Sequence, residues 1–276
     1  MANVTLTIAT GSPWTATNSG VITVECWGGG GGGGGTNSTG QAGGGGGAGA
    51  YSRKTGILVT KGVTYAFVIG TAGAGAVGAD GSSGGDTTWQ ATVCKAAGGK
   101  FGYVAGTKGV GGAEADCIGD ASSQSKGGDG ATEAAGAYGG GGGGESGSFT
   151  APSTYTDGNN GTATTTTTGG AGGTGTAGYD GAAGGSAHNA GGDVSSTNYG
   201  GGGGGASHRT GSTSLRGGNG CAGKIDITFT QTPGNMKVNI GDTFKTVSAA
   251  QVNIGDSWKA VSHAQVNVGD TWKRIF

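Results

Sequence analysis

Eight glycines stand in an unbroken row from Gly28 to Gly35, and this row restricts the fold more than any other feature of the chain. A residue without a Cβ has no side chain to pack on a helix face or a sheet face, so neither a helical bundle nor an ordinary sheet grows from such a run. The row follows an aromatic residue, Trp27. The same order returns with Tyr138 before Gly139 to Gly144 and with Tyr199 before Gly200 to Gly205. A shorter block, Gly43 to Gly47, leads into Ala48-Gly49-Ala50-Tyr51-Ser52-Arg53-Lys54. Runs of this kind suit the polyglycine II helix, an extended threefold helix similar to polyproline II, in which eight residues span roughly 25 Å. A single rod of this kind has no internal hydrogen bonds, whereas rods packed hexagonally bond to one another.

Composition shows what such rods must replace. Glycine supplies 73 of the 276 residues, and fixing each backbone costs about 1–2 kcal/mol. Of the 33% hydrophobic residues, 36 are Ala. Between 105 and 220 the aliphatic and Phe residues larger than Ala are Val110, Ile118, Phe149, Val194 and Leu215, too few for an ordinary core. Backbone hydrogen bonds between close segments must then compensate. The strict Gly-X-Y period is missing and only 3 Pro are present, which excludes a collagen triple helix.

Strand signals frame the glycine. Val4, Leu6 and Ile8 alternate with polar residues, Gly11-Ser12-Pro13 turns, and 21–27 reads as a second strand. Ile57-Leu58-Val59, a Lys61-Gly62 turn and 63–69 read as a hairpin with Val63, Tyr65, Phe67 and Ile69 on one face. Residues 87–94 form a further β region, and Ile225, Ile227 and Phe229 alternate in a closing strand. No segment carries a helical period. The fold class is all-β: a glycine-rich β-sandwich (about 1–105 with 223–230) with polyglycine II-like segments. Residues 105–222 are a polyglycine-rich loop field within a 1–230 domain, and 231–235 are a linker.

Residues 236–276 form a separate array. Val238-Asn239-Ile240-Gly241-Asp242-Thr243-Phe244-Lys245 recurs around Trp258 and again around Trp272, at a constant period of 14 residues. Each copy reads as strand, Gly-Asp turn and strand, a small β-hairpin. One hairpin is marginal alone, so the copies are expected to pack their Val and aromatic positions on one another or on other chains. Phe244, Trp258 and Trp272 are the candidate oligomerisation or docking residues. A small carbohydrate-binding array is the other reading of the tandem Trp positions.

Catalytic chemistry has no visible basis. His188, His208 and His263 have no sequence-local partner motif, and G-x-G-x-x-G matches carry no information in a chain this rich in Gly. Asp80, Asp86, Asp129 and Asp180 lie among glycines without the nonapeptide period of calcium-binding repeats. The expectation is a protein that is not an enzyme, with no cofactor and no metal. Net charge −1 with 11% charged residues leaves no footprint for nucleic acid. No stretch suits membrane insertion, and the N-terminus lacks a signal peptide, so maturation in a cytoplasm is expected. Cys26, Cys94, Cys117 and Cys221 show no C-x-x-C pair and read as free thiols. The candidate working surface is aromatic: Tyr103, Tyr138, Tyr155, Tyr179 and Tyr199, with Arg209 and Arg216 beside them. Rings in Gly/Ser/Asn-rich loops make an adaptable recognition surface, and Tyr also stacks on sugar rings. Tyr138 and Tyr199 equally suit a role as caps over glycine rods.

The order of these features resembles the glycine-rich domain found in tail-fibre and related proteins of bacteriophages and prophages. The features that carry it are 21–27 plus polyglycine, Gly49-Ala50-Tyr51-Ser52-Arg53-Lys54, Val63 to Gly70, Gly84-Gly85-Asp86-Thr87-Thr88 and Gly223-Lys224-Ile225-Asp226-Ile227. The glycine field is similar in kind to the fibre-tip adhesins of T-even-like phages, in which polyglycine II rods support receptor-binding loops. The 14-residue repeat resembles C-terminal repeats of phage and bacterial surface proteins. These resemblances imply a virion protein made in the host cytoplasm, a tail-fibre or tail-tip adhesin. It would contact other virion tail proteins and a host cell-surface receptor (a glycan or an outer-surface protein) and form a homo-oligomer, a trimer first. The second function class is a purely structural virion part (tail, collar or capsid decoration), and ice binding is a third.

Overall fold

The computed structural model describes residues 4–8, 13–104, 106–120, 123–132, 139–144, 160–162, 170–174, 181, 188–208 and 214–230, with six short strands between 237 and 274. The strands before the tail are β1 (Val4–Ile8), β2 (Trp14–Thr15), β3 (Gly20–Trp27), β4 (Gln41–Ala42), β5 (Tyr51–Val59), β6 (Thr64–Tyr65), β7 (Phe67–Val68), β8 (Thr87–Trp89), β9 (Cys94–Ala96), β10 (Gln124–Ser125), β11 (His188–Asn189), β12 (Ser207–His208) and β13 (Lys224–Thr230). A 3-10 turn at Glu114–Asp116 is the sole helical element among the described residues. The fold is all-β.

The largest sheet has the order β1-β13-β3-β5-β10, and a second sheet has the order β7-β8-β9. The side chains that alternate inward along β3 and β13 supply the core: Ile22, Val24, Cys26, Ile225 and Ile227 are fully buried. From the smaller sheet Trp89 is fully buried, with Phe67 stacked 6.3 Å and Tyr65 stacked 5.9 Å from its ring. Trp14 closes this aromatic group 5.6 Å from Trp89. Ordinary apolar burial therefore holds the β region together.

A different physics holds the rest. The N–H groups of Gly29, Gly32 and Gly35 donate to carbonyls of 85, 82 and 79, while those of Gly30 and Gly33 donate to 221 and 218. Those of Gly28, Gly31 and Gly34 donate to 50, 47 and 44, and all eight bonds are 2.8–2.9 Å long. Each neighbour is met at every third residue and runs antiparallel. The carbonyls reach other segments: Gly29 and Gly32 accept from 99 and 102, Gly31 and Gly34 from 203 and 206, and Gly30 from 73. The row 28–35 is thus a threefold rod whose backbone bonds point to six surrounding segments, the hexagonal polyglycine II arrangement. The segment 43–50 repeats the pattern. Its N–H groups serve 200–206, 97–103 and 128–131, and its carbonyls serve 28–34, 109–112 and 140–143.

Only glycine permits this spacing. A Cβ built on any residue from Gly28 to Gly35 would fall 2.0–2.2 Å from a neighbour's carbonyl oxygen. The hydrogen that occupies that direction points at the same oxygen, so the rods also make Cα–H···O contacts, each worth about 0.5–1 kcal/mol. Of the large apolar residues of the middle, Val110 and Ile118 are exposed and add nothing to the core.

Several local expectations are corrected. Residues 57–59 and 63–69 do not pair as a hairpin. β5 lies between β3 and β10, β6 pairs with β2, and β7 pairs with β8. The Lys61-Gly62 turn is present, with Gly62 at φ +80 and Val63 N–H donating to Thr60 O. Beyond it, Tyr65 and Phe67 follow the aromatic group around Trp89, and Val63 is left exposed. The region 87–94 is split into β8 and β9 by a turn in which Gln90 and Ala91 take positive φ. The expected rods at 28–35 and 43–47 are present, each ringed by six segments.

The chain divides into two compact units, Thr5–Thr228 and Phe229–Phe276 with Met1–Val4. In the second unit the strands are β14 (Lys237–Ile240), β15 (Thr243–Thr246), β16 (Gln251–Ile254), β17 (Ser257–Ala260), β18 (Gln265–Val268) and β19 (Thr271–Arg274). They pair as three antiparallel hairpins of identical register, with two residues between the strands. Asn239 faces Phe244, Asn253 faces Trp258 and Asn267 faces Trp272.

Candidate binding groove

Three segments of the glycine bundle, 72–74, 193–199 and 219–222, enclose an open groove of about 600 Å³. Backbone bonds set its walls: Gly191 N–H donates to Arg216 O, Val194 N–H to Asn219 O and Gly220 N–H to Gly73 O. On this frame Arg216 donates to both carboxylate oxygens of Asp193, at 2.7 and 2.9 Å, and to Asn219 Oδ1 at 2.9 Å. Asn219 N–H donates to Asp193 Oδ1 at 2.7 Å, and Gly75 N–H donates to Asn219 Oδ1 at 2.9 Å. Arg216 Nη2 on the carboxylate and Nη1 on the shared amide lock three polar side chains into one arrangement.

Tyr199 supplies the aromatic wall. A turn ends beneath it, with Asn198 N–H on Ser195 O, and Gly200 at φ +78 then starts the rod. A side chain at Gly200 would be strained, so the aromatic-then-glycine order has a local cause at this position. Lys224, almost fully buried, holds its Nζ 4.1 Å from the Trp27 ring centroid, 5.6 Å from that of Tyr199 and 3.0 Å from Asp226 Oδ2. The cation orients the half-buried Tyr199 while the ring lines the groove beside Val194 and Ser196. Tyr199 is therefore both the cap of a rod and part of a concave surface.

The groove suits recognition. Its volume lies in the range of small-ligand sites, about 300–1,000 Å³. It offers a ring for stacking and a half-exposed carboxylate that accepts hydrogen bonds. Cys221 also lines it, but burial pushes that thiol up despite the N–H groups of Ala222 and Gly200, so at neutral pH it is not a ready nucleophile.

Of the candidate surface residues, Tyr199 lines this groove, and Arg216 stands behind it, bonded to Asp193 and Asn219 of its lining. Tyr103 does not line it: it is exposed on the rod 97–103, with its ring 4.8 Å from Phe101. Tyr138, Tyr155, Tyr179 and Arg209 lie outside the described residues. Phe244, Trp258 and Trp272 occupy equivalent register positions in the three hairpins. Sequence reasoning passed over Asp193 and Asn219, whose one signal is a charged or amide residue interrupting a glycine stretch. The aspartates among the glycines bind backbone and lysine. Asp80 accepts from Val104 N–H, Asp86 from Gly98 N–H and Lys95, and Asp129 from Gly111 N–H, Lys108 and Lys126, while Asp180 is outside the described residues.

No curated protein matches the chain. A model of the glycine-rich domain family matches residues 7–230, the stretch from β1 through β13 that contains the β region, the rods and the groove. The chain therefore belongs to the glycine-rich domain family.

Proposed function

We propose that this protein is a tail-fibre or tail-tip adhesin of a tailed-phage virion, and that the Tyr199 groove binds a glycan of the host surface. It works by presenting this surface and catalyses nothing. The observation that supports the reading is the convergence of Tyr199, Asp193 and Asn219 on one groove held by backbone-bonded rods, with Arg216 fixing the two polar side chains from behind. Carbohydrate recognition needs an apolar ring for the sugar face and fixed polar groups for the hydroxyls, held so that little freedom is lost on binding. The hairpins carrying Phe244, Trp258 and Trp272 dock to neighbouring tail proteins or to other copies of the chain, with a trimer as the first expectation.

Binding of the purified protein to host-derived surface polysaccharide tests this. Tyr199→Ala is expected to weaken binding at least tenfold, about 1.4 kcal/mol, while Tyr199→Phe retains most of it. Equal binding by wild type and Tyr199→Ala, with thermal stability unchanged, would sink the groove as the receptor site. A position buried between subunits in the intact particle would favour a structural virion role instead.

A further inference from the structure

Three cysteines far apart in sequence gather between the two sheets of the β region. Cys26 lies in β3 and Cys94 opens β9, and both are fully buried. Ser52 of β5 links them. It is the cross-strand partner of Cys26, and Cys94 Sγ lies 3.6 Å from its carbonyl oxygen and 3.8 Å from its Oγ. The Ser52 hydroxyl is itself turned to Ile118 O at 2.6 Å. Ser52 thus brings the two cysteines to one place between the sheets, and the neighbouring Cys94 thiol adds to burial in raising the Cys26 thiol. Cys117 is half-buried beside the Lys95–Ile118 bridge, with its thiol on Ala113 O at 3.5 Å. All four cysteines are free thiols in the structure, and the groove makes no use of the Cys26–Cys94 pair.

We propose that Cys26 and Cys94 are a latent cross-sheet disulfide site, reduced in the protein as folded and closed by a low-molecular-weight disulfide such as oxidised glutathione. In the first step the Cys94 thiolate attacks one sulfur of the reagent, forming a mixed disulfide and releasing one thiolate. In the second step Cys26 loses its proton and attacks Cys94 Sγ, expelling the second thiolate. The two released thiolates take up the two protons. Two cysteines are thereby oxidised by two electrons in all, and one reagent disulfide is reduced to two thiols.

The shared contact with Ser52 selects this pair. Cys117 sits one residue past the bridge on the neighbouring segment, a diagonal position whose typical spacing of about 7–8 Å is beyond disulfide reach without backbone movement. A shared metal is a poorer account, because no group of three His, Cys, Asp or Glu suited to a metal occurs among the described residues. Burial raises the Cys26 thiol well above its ordinary value. The exchange is therefore slow near neutrality, needs local opening and accelerates with pH. The closed loop would enclose the rods 28–35 and 43–50, so the cross-link restrains the unfolded chain strongly.

Full-length protein held with oxidised glutathione at about pH 8.5, then alkylated, digested and mapped by mass spectrometry, tests the site. The expected product is a Cys26–Cys94 cross-linked peptide that dithiothreitol removes, in protein melting roughly 10 °C higher than the reduced form. Cys117→Ser should retain the link. A Cys94–Cys117 link, or glutathione adducts without any cross-link, would overturn the proposal. Wild-type mapping decides the matter even if Cys94→Ala or Cys26→Ala fails to fold.

Discussion

A methyl group at Gly31 would stand 2.1 Å from the carbonyl oxygen of Lys100, a contact that no rotamer change relieves because both partners are backbone. Gly40 is the opposite case. It takes φ +82 on the surface with nothing within 4 Å, so a side chain there meets conformational strain alone. Gly31→Ala is expected to cost about 3 kcal/mol or more, the upper end of overpacking costs, and Gly40→Ala about 1 kcal/mol. Urea denaturation of the two variants measures this, and equal costs would contradict the rod packing. At this scale the sequence marked Tyr199 and Arg216 through residue type. It did not mark Asp193 or Asn219, because their roles depend on which side of a threefold rod each residue faces and on what rod lies opposite.

Among the elements, the rods are pinned to one another by carboxylates. Asp129 accepts from Gly111 N–H and from the ammonium groups of Lys108 at 2.9 Å and Lys126 at 2.7 Å, and its backbone N–H donates to Asn160 Oδ1. Burial pushes its carboxyl upward, but the Lys108, Lys126 and Gly111 hydrogen bonds together hold it below the usual carboxylate range. Asp120, held by Lys54 and Thr55, and Asp86, held by Lys95 and Gly98, are lowered in the same way against burial. A carboxyl depressed in the folded state contributes its full stability above the unfolded pKa and loses it as pH falls through the lower folded value. The melting temperature should therefore hold from pH 7 to about pH 5 and drop below about pH 4. Asp129→Asn should cost about 2 kcal/mol at pH 7 and flatten the acid decline in a melting series across pH. An unchanged acid limb in that variant would remove Asp129 from the account. The 14-residue hairpins were legible here, since alternation and a Gly-Asp turn are local signals. The 57–69 hairpin was misread because its second strand answers to Trp14 and Trp89, partners far away in sequence.

Taken as a whole, the molecule depends on contacts between distant parts of the chain. The rod 28–35 bonds to residues near 47, 82, 100, 203 and 218, so no rod can form until several segments meet. Folding that requires such long-range closure is slow. Refolding from urea, followed by tryptophan fluorescence, is expected to take seconds or longer, and completion within milliseconds would argue against a bundle formed from distant segments. Hydrogen exchange should rank the same parts. Amides of Gly29 to Gly35, buried and bonded on all sides, are expected to open only with global unfolding, while those of the exposed Asn37 and Ser38 exchange early. For the tail unit, light scattering of full-length protein should give a trimer. Replacing Trp258 and Trp272 together with Ala should shift it toward monomer, and a wild-type monomer at micromolar concentration would refute the oligomer reading.

The amino-acid order by itself determined that the fold is all-β, that glycine forms extended rods, and that three equal hairpins follow. Each of these depends on local facts: a missing Cβ, a period of two, a repeat of 14 residues. Only the tertiary structure decided which rods are central, which polar residues share a groove and which cysteines gather around Ser52. Polyglycine rods carry no side chains to specify partners, so their neighbours are chosen by where the flanking strands and aromatic anchors deliver them. The two rods with six neighbours lead out of β3 and into β5, both anchored in the β region's core. The groove and the buried dithiol inherit their geometry from that delivery, and nothing in the local order of residues encodes it.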